Sequence, residues 1–100
     1  MQEFLYQLHL VRGDMLATGP TDSEQAIVAE HLAYLQGLAA KGVAVFVGRT
    51  LTNDANTMGL VVFRAESETA ARVIMDADPA VKNHLMSATL YPFKVVLHGK

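Results

Sequence analysis

Residues 43–65 read VAVFVGRTLTNDANTMGLVVFRA. Two short runs rich in β-branched residues, VAVFVG and MGLVVFRA, flank the polar stretch LTNDANT, the pattern of a β-hairpin. Segments of helical character lie on both sides of it, so placing this hairpin orders the rest of the chain. Both runs are apolar at consecutive positions. A strand with one wet face would alternate apolar with polar residues, so both faces of this sheet call for cover.

Upstream, AIVAEHLAYLQGLAAKG (residues 26–42) has helical periodicity, with Asp22 or Ser23 as the expected cap and Gly42 as the stop. Before it, RGDMLATGPTD (12–22) reads as a loop. EFLYQLHLV (3–11) alternates as a strand, with Phe4, Tyr6, Leu8 and Leu10 on one face and Leu5, Gln7, His9 and Val11 on the other. Downstream, SETAARVIM (67–75) predicts a second helix with Ser67 as its cap, and PAVKNHLM (79–86) a short third one. TLYPFKVVLH (89–98) predicts a final strand, and Pro92, which cannot donate to a ladder, puts it at an edge. The order β-α-β-β-α-β is the ferredoxin-like plan, an α+β fold with a four-stranded antiparallel sheet. Two helices cover one face of such a sheet. The simplest cover for the other face is a second copy of the chain, so a homodimer packed sheet to sheet is expected.

Composition narrows the function. One hundred residues, 51% of them hydrophobic and 18% charged, suit a single domain with a modest core. No apolar run approaches the ~20 residues of a membrane span. MQEFLYQLHLVRGDM has neither the basic region nor the cleavage site of a signal peptide, so a cytoplasmic setting is expected. The net charge of −2 and eight scattered basic residues argue against nucleic-acid binding. Without cysteine there is no disulfide, thiolate nucleophile or Cys-based metal or iron–sulfur site. No two histidines have metal-ligand spacing, and no G-x-S-x-G, G-x-G-x-x-G or P-loop motif occurs. Arg12-Gly13-Asp14 spells an adhesion tripeptide by chance. Met58, Met75 and Met86 read as core filler, and His84 and His98 as surface residues.

Two positions stand out. At about 100° per residue, Ile27, His31, Tyr34, Leu35 and Leu38 share one stripe, so His31 lies within the apolar face of its helix. It is either a half-buried ring bonded to backbone or an acid/base group between helix and sheet. The stretch DADPAV (76–81) puts two carboxylates where the second helix ends, a poor place for negative charge. Asp78 precedes Pro79 and is a natural N-cap of the next helix; Asp76 reads as solvated. A capping Asp keeps a free oxygen for a nearby imidazole.

EHLAYLQGLAAKG, DADPAV some forty-five residues on, and the closing LYPFKVV together resemble the YCII-related family of the dimeric α/β-barrel superfamily. The resemblance covers nearly the whole chain and implies one YCII-related domain over residues 1–100. It implies a His–Asp dyad at His31 and Asp78 and cofactor-independent proton-transfer chemistry, including loss of chloride from chlorinated hydroxylated aromatics. Superfamily neighbours isomerise muconolactones or oxidise polycyclic aromatics without a cofactor. Many members carry Gly-Pro after the second strand, where this chain has Gly48-Arg49-Thr50. Arg49 is either a strand-end residue paired with an exposed acid or a cation for an enolate, phenolate or carboxylate. Thr50 brings a hydroxyl beside it. His9 is a further candidate for the pocket, against a packed or dimer-facing role.

Three classes of function fit. One is a cofactor-free lyase or isomerase acting on a small cyclic or aromatic substrate. The second is a small-molecule binding protein, and the third a dimeric accessory module. A His in an apolar stripe favours the first over the third.

Overall fold

The computed structural model describes residues 1–99. Its elements are β1 (Gln2–Leu10), α1 (Met15–Thr18), α2 (Asp22–Ala40), β2 (Ala44–Arg49), β3 (Met58–Ala65), α3 (Glu68–Ala77), α4 (Pro79–Lys82) and β4 (Met86–Phe93). The strands form one antiparallel sheet in the order β2-β3-β1-β4. This is the expected α+β, ferredoxin-like arrangement, with β4 and its Pro92 at an edge.

Alternation decides what each strand presents. Phe4, Tyr6 and Leu8 of β1 face the helices together with Val61 and Phe63 of β3, which stand opposite Tyr6 and Phe4. The rings of Tyr6 and Phe63 meet edge to face at 5.5 Å. Leu35 and Leu38 of α2 and Ala71 and Met75 of α3 complete this core.

The other face carries Leu5, Val62, Phe46 and Tyr91, matched across the strands in register. Phe46 is 51% exposed and Tyr91 43%. Leu5 and Val62 lie outside the helix-packed core, although Val62 is itself fully buried, and Glu3 stands opposite Arg64 at one end of this face.

A bulge interrupts β2. Ala44 stands opposite Phe63 and Phe46 opposite Val62, so Val45 is an extra residue. Beyond it, Val47 and Arg49 lie on the helix-covered face and Phe46 and Gly48 on the open one.

The cap of α2 is Thr21, one residue before the expected position. Its side chain accepts from Glu24 N at 3.1 Å, and Glu24 Oε1 accepts from Thr21 N at 2.8 Å, a reciprocal capping box. Arg12 grips the same carboxylate through Nε at 3.0 Å and Nη2 at 2.6 Å. It also donates to Thr18 Oγ1 and to the Gly19 carbonyl. These bonds tie the β1–α2 connection, which contains α1, to the start of α2.

The Arg12 fork and the Thr21 backbone N–H hold the Glu24 carboxyl down at about 2. A depressed acid stabilises the fold above its ordinary value of 4.5, and that contribution disappears as pH falls toward 2. Thr21→Ala is expected to lower stability by about 1 kcal/mol in urea unfolding at neutral pH. An unchanged midpoint would mean that Arg12 alone holds the helix start.

Ser67 caps α3, accepting from Ala70 N at 3.1 Å, as expected. Strand β4 begins at Met86 rather than Thr89 and ends at Phe93 rather than His98. Its partner β1 starts at Gln2, and the pairing ends with Glu3 opposite Phe93. Beyond it, Val95 N donates to the Glu3 carboxylate at 2.9 Å.

Candidate active site

Helix α2 presents its Ile27, His31, Tyr34, Leu35 and Leu38 stripe toward the sheet, which carries the His31 ring inward. The junction between α3 and α4 is a single residue, Asp78, in extended conformation, with Pro79 opening α4. Its carboxylate turns back to cap α4, accepting from Ala80 N at 3.0 Å on Oδ1. Oδ1 also meets His31 Nδ1 at 2.6 Å, and Oδ2 accepts from the Tyr6 hydroxyl at 2.8 Å.

Asp78 is fully buried. A buried carboxylate is costly unless it is hydrogen-bonded, and here three donors from α2, β1 and α4 converge on it. Its negative charge is felt nearby. Burial and then Asp78 raise the Tyr6 hydroxyl far above its ordinary value, and the same two causes raise that of Tyr34. Both phenols therefore stay protonated over the working range and act as donors; Tyr34 bonds to the Ile74 carbonyl at 2.7 Å.

An ionised carboxylate only accepts, so the 2.6 Å contact sets the proton of the neutral His31 ring on Nδ1. Nε2 is left with its lone pair free. It has no hydrogen-bond partner among the described residues and is not sealed from solvent.

His31 lines a cavity of about 480 Å³, open to solvent, between α1, α2 and the helix-covered face of the sheet. The walls are almost wholly apolar: Leu8 and Leu10 from β1, Met15 and Leu16 from α1, Val28, Leu32 and Leu35 from α2, Val47 from β2 and Val61 from β3. Polar side chains enter at three points, His31, Arg49 and Thr57. The Thr57 hydroxyl is already engaged, by Thr52 Oγ1 at 2.9 Å and Asp54 N at 3.1 Å. Arg49 has only long contacts, to the Thr50 carbonyl at 3.4 Å and Asn53 Oδ1 at 3.5 Å, and forms no ion pair among the described residues. Its charge is available to a ligand. Among the described residues no three His, Asp or Glu side chains gather as metal ligands.

Thr50 and His9 are not brought to the cavity. The Thr50 hydroxyl accepts from Met58 N at 3.0 Å and its own N–H donates to Met58 O at 2.9 Å, so it closes the β2–β3 turn. His9 sits opposite Met58 and Ser87 on the open face, because strand alternation sends it away from Leu8 and Leu10.

Four contributing residues carry little signal of their role in the sequence. Tyr6 alternates with apolar neighbours, although a buried phenol needs a partner and so points to one. Thr57 sits at the end of a polar turn. Met15 and Leu16 belong to a helix of four residues, too short to show periodicity.

The model of the YCII-related domain matches residues 7–94. Among solved structures, the chain is similar to the 5-chloro-2-hydroxyhydroquinone dehydrochlorinase TftG from Burkholderia phenoliruptrix, determined with 2,5-dihydroxybenzoquinone. The identity is 25%, over 92% of this chain and 93% of that one, with a TM-score of 0.68. It also matches SnoaB, a cofactor-independent oxygenase from Streptomyces nogalater, at 14% identity over 98% of this chain and 97% of that one, TM-score 0.49. No curated protein matches it.

Proposed function

Because the chain belongs to the YCII-related family, we propose that it catalyses cofactor-independent proton transfer on a small cyclic or aromatic substrate, as a dehydrochlorinase-type lyase or an isomerase. The observation that carries this reading is the buried His31–Asp78 pair at the wall of an apolar cavity, with Nε2 unpartnered. The similarity to TftG, which acts on a chlorinated hydroquinone, supports the same class.

In this mechanism Nε2 takes a proton from an acidic O–H or C–H of the bound ring. The electron pair left behind moves into the ring system. In an elimination it forms the new π bond as the C–Cl pair departs with chloride; in an isomerisation His31 returns the proton at another carbon. Asp78 holds the ring orientation and stabilises the imidazolium. Arg49 stabilises the developing oxyanion by a charge-assisted bond. Leucine, valine and methionine walls exclude water and accept a flat apolar ring.

The assembly proposed with this function is a homodimer packed through the open sheet faces. The support is the exposed Phe46 and Tyr91 in register with Leu5 and Val62. A sheet face with this lining is apolar where a solvated one would be polar.

The test is a panel of lactones, chlorinated phenols and enolisable acids offered to the protein without added cofactor. Consumption of at least one is expected. Saturable binding with no compound consumed would make the chain a binding protein instead. Within the panel, Arg49→Lys is expected to raise KM for anionic compounds about tenfold, since a point charge replaces a planar fork. Neutral compounds should be unaffected, and an equal loss for both would remove Arg49 from ligand contact.

A further inference from the structure

We propose that Tyr6 is a positioning residue of this site, its hydroxyl holding Asp78 in the orientation that aims Oδ1 at His31 and keeps Nε2 free for the cavity. The proposal rests on the reading of His31 as the proton-transfer group, but its central test does not need turnover.

The terminal torsion of an aspartate is broad and roughly two-fold, so the backbone alone does not settle where each oxygen points. Asp78 Oδ1 is held by one backbone N–H, that of Ala80, at 3.0 Å. Oδ2 is held by Tyr6 at 2.8 Å, through a hydroxyl delivered from the middle of β1, an element otherwise remote from the α3–α4 junction. Together they fix both ends of the carboxylate.

Tyr6 is itself rigid. It is fully buried and packs edge to face on Phe63. Its proton stays in place because burial and the neighbouring carboxylate oppose its loss. It does not line the cavity, so any effect on substrate passes through Asp78.

Remove the hydroxyl, and Oδ2 becomes an unfilled acceptor in a dry site. The carboxylate is then free to turn, and either oxygen can meet the ring. A carboxylate relieved of one donor also holds the His31 Nδ1 proton more strongly. The Nδ1 hydrogen bond is therefore expected to strengthen and to lose its single geometry, while the proton stays on Nδ1.

The experiment compares the full chain with Tyr6→Phe and Tyr34→Phe by NMR of the His31 ring, using its imidazole nitrogen shifts and the hydrogen-bonded Nδ1 proton. Tyr34→Phe is the control for loss of a buried phenol bond, because that hydroxyl serves the Ile74 carbonyl and not Asp78. The expected result is a single Nδ1–H tautomer in the parent and in Tyr34→Phe. In Tyr6→Phe the tautomer should be kept, but with the Nδ1 proton shifted downfield and broadened as the bond strengthens and the carboxylate samples more than one orientation.

If Tyr6→Phe does not fold, a fluorinated tyrosine at this position keeps the ring and donates more strongly. It should draw charge from Asp78 and move the Nδ1 proton upfield. Where a substrate has been found, Tyr6→Phe should lower kcat about tenfold with KM unchanged.

Identical His31 signals in parent and Tyr6→Phe, or no response to the fluorinated residue, would overturn the proposal and leave the role of His31 standing. The opposite combination is distinguishable. Full activity of a His31 variant would remove the proton-transfer reading whatever the ring signals show.

Discussion

His31→Gln is expected to fold like the parent chain and to turn over an accepted substrate roughly 10²–10⁴-fold more slowly, the usual contribution of a positioned acid or base. That loss corresponds to about 3–5 kcal/mol of barrier. Glutamine is close to histidine in reach, and its amide can donate to Asp78 Oδ1, so the buried carboxylate keeps a partner and stability changes little. What disappears is the lone pair that accepts and returns a proton at the cavity wall. KM should move far less than kcat, because the apolar walls and Arg49 are untouched. A parallel Asp78→Asn change should also slow turnover, by misorienting the ring, while costing the α4 cap little, since asparagine caps well. Turnover by His31→Gln at the parent rate would rule out the mechanism and leave the fold as described.

The second large effect concerns assembly. The parent chain should scatter light at micromolar concentration as a particle of about twice its 10.8 kDa mass. Phe46→Asp should weaken that association at least about a thousandfold, leaving folded monomer. The position separates folding from pairing, since Phe46 is half exposed on the single chain and a carboxylate there stays hydrated. Between two sheets it would be buried without a partner, at about 3–5 kcal/mol, and symmetry would bury it twice. A monomeric parent, or a variant as dimeric as the parent, would take the open face out of the interface.

Much of the architecture was legible because the strongest physical signals are periodic. The alternation of Phe4, Tyr6, Leu8 and Leu10 defines β1, and the stripe from Ile27 to Leu38 defines the inward face of α2 and with it the direction of His31. Asp78-Pro79 reads as a helix start, and the cap is there. The departures have two sources, a local signal outranked by its neighbours and pairing set by partners distant in sequence. Thr21 takes the cap because Glu24 stands three residues on, a signature that was present but outranked by Asp22 and Ser23. Val95, Val96 and Leu97 have the composition of a strand, but the pairing of β1 with β4 ends at Glu3 and Phe93. The site divides in the same way. His31 and Asp78 could be singled out as residues, whereas the Tyr6 bond to Asp78 spans 72 positions and leaves no local trace. The parity of β1 that turns Tyr6 inward turns His9 outward, which suits the packed or dimer-facing alternative for His9 rather than the pocket.

The extra residue Val45 has a wider consequence. A strand offers odd positions to one side and even positions to the other, and β2 changes frame in the middle. Ala44, an even position, serves the core; after Val45 the odd positions Val47 and Arg49 take over that side, and Phe46 is handed to the other. One short strand thus addresses three clients: the packed interior, the ligand cavity and the outer face. Single-residue insertions or deletions in β2 act on this chain as frame changes. They can exchange what the cavity sees for what the outer face sees without touching the rest of the sheet. A scaffold with such an adjustable strand can acquire a cation at the mouth of its pocket, as Arg49 is here, by a change in length as readily as by a change in residue.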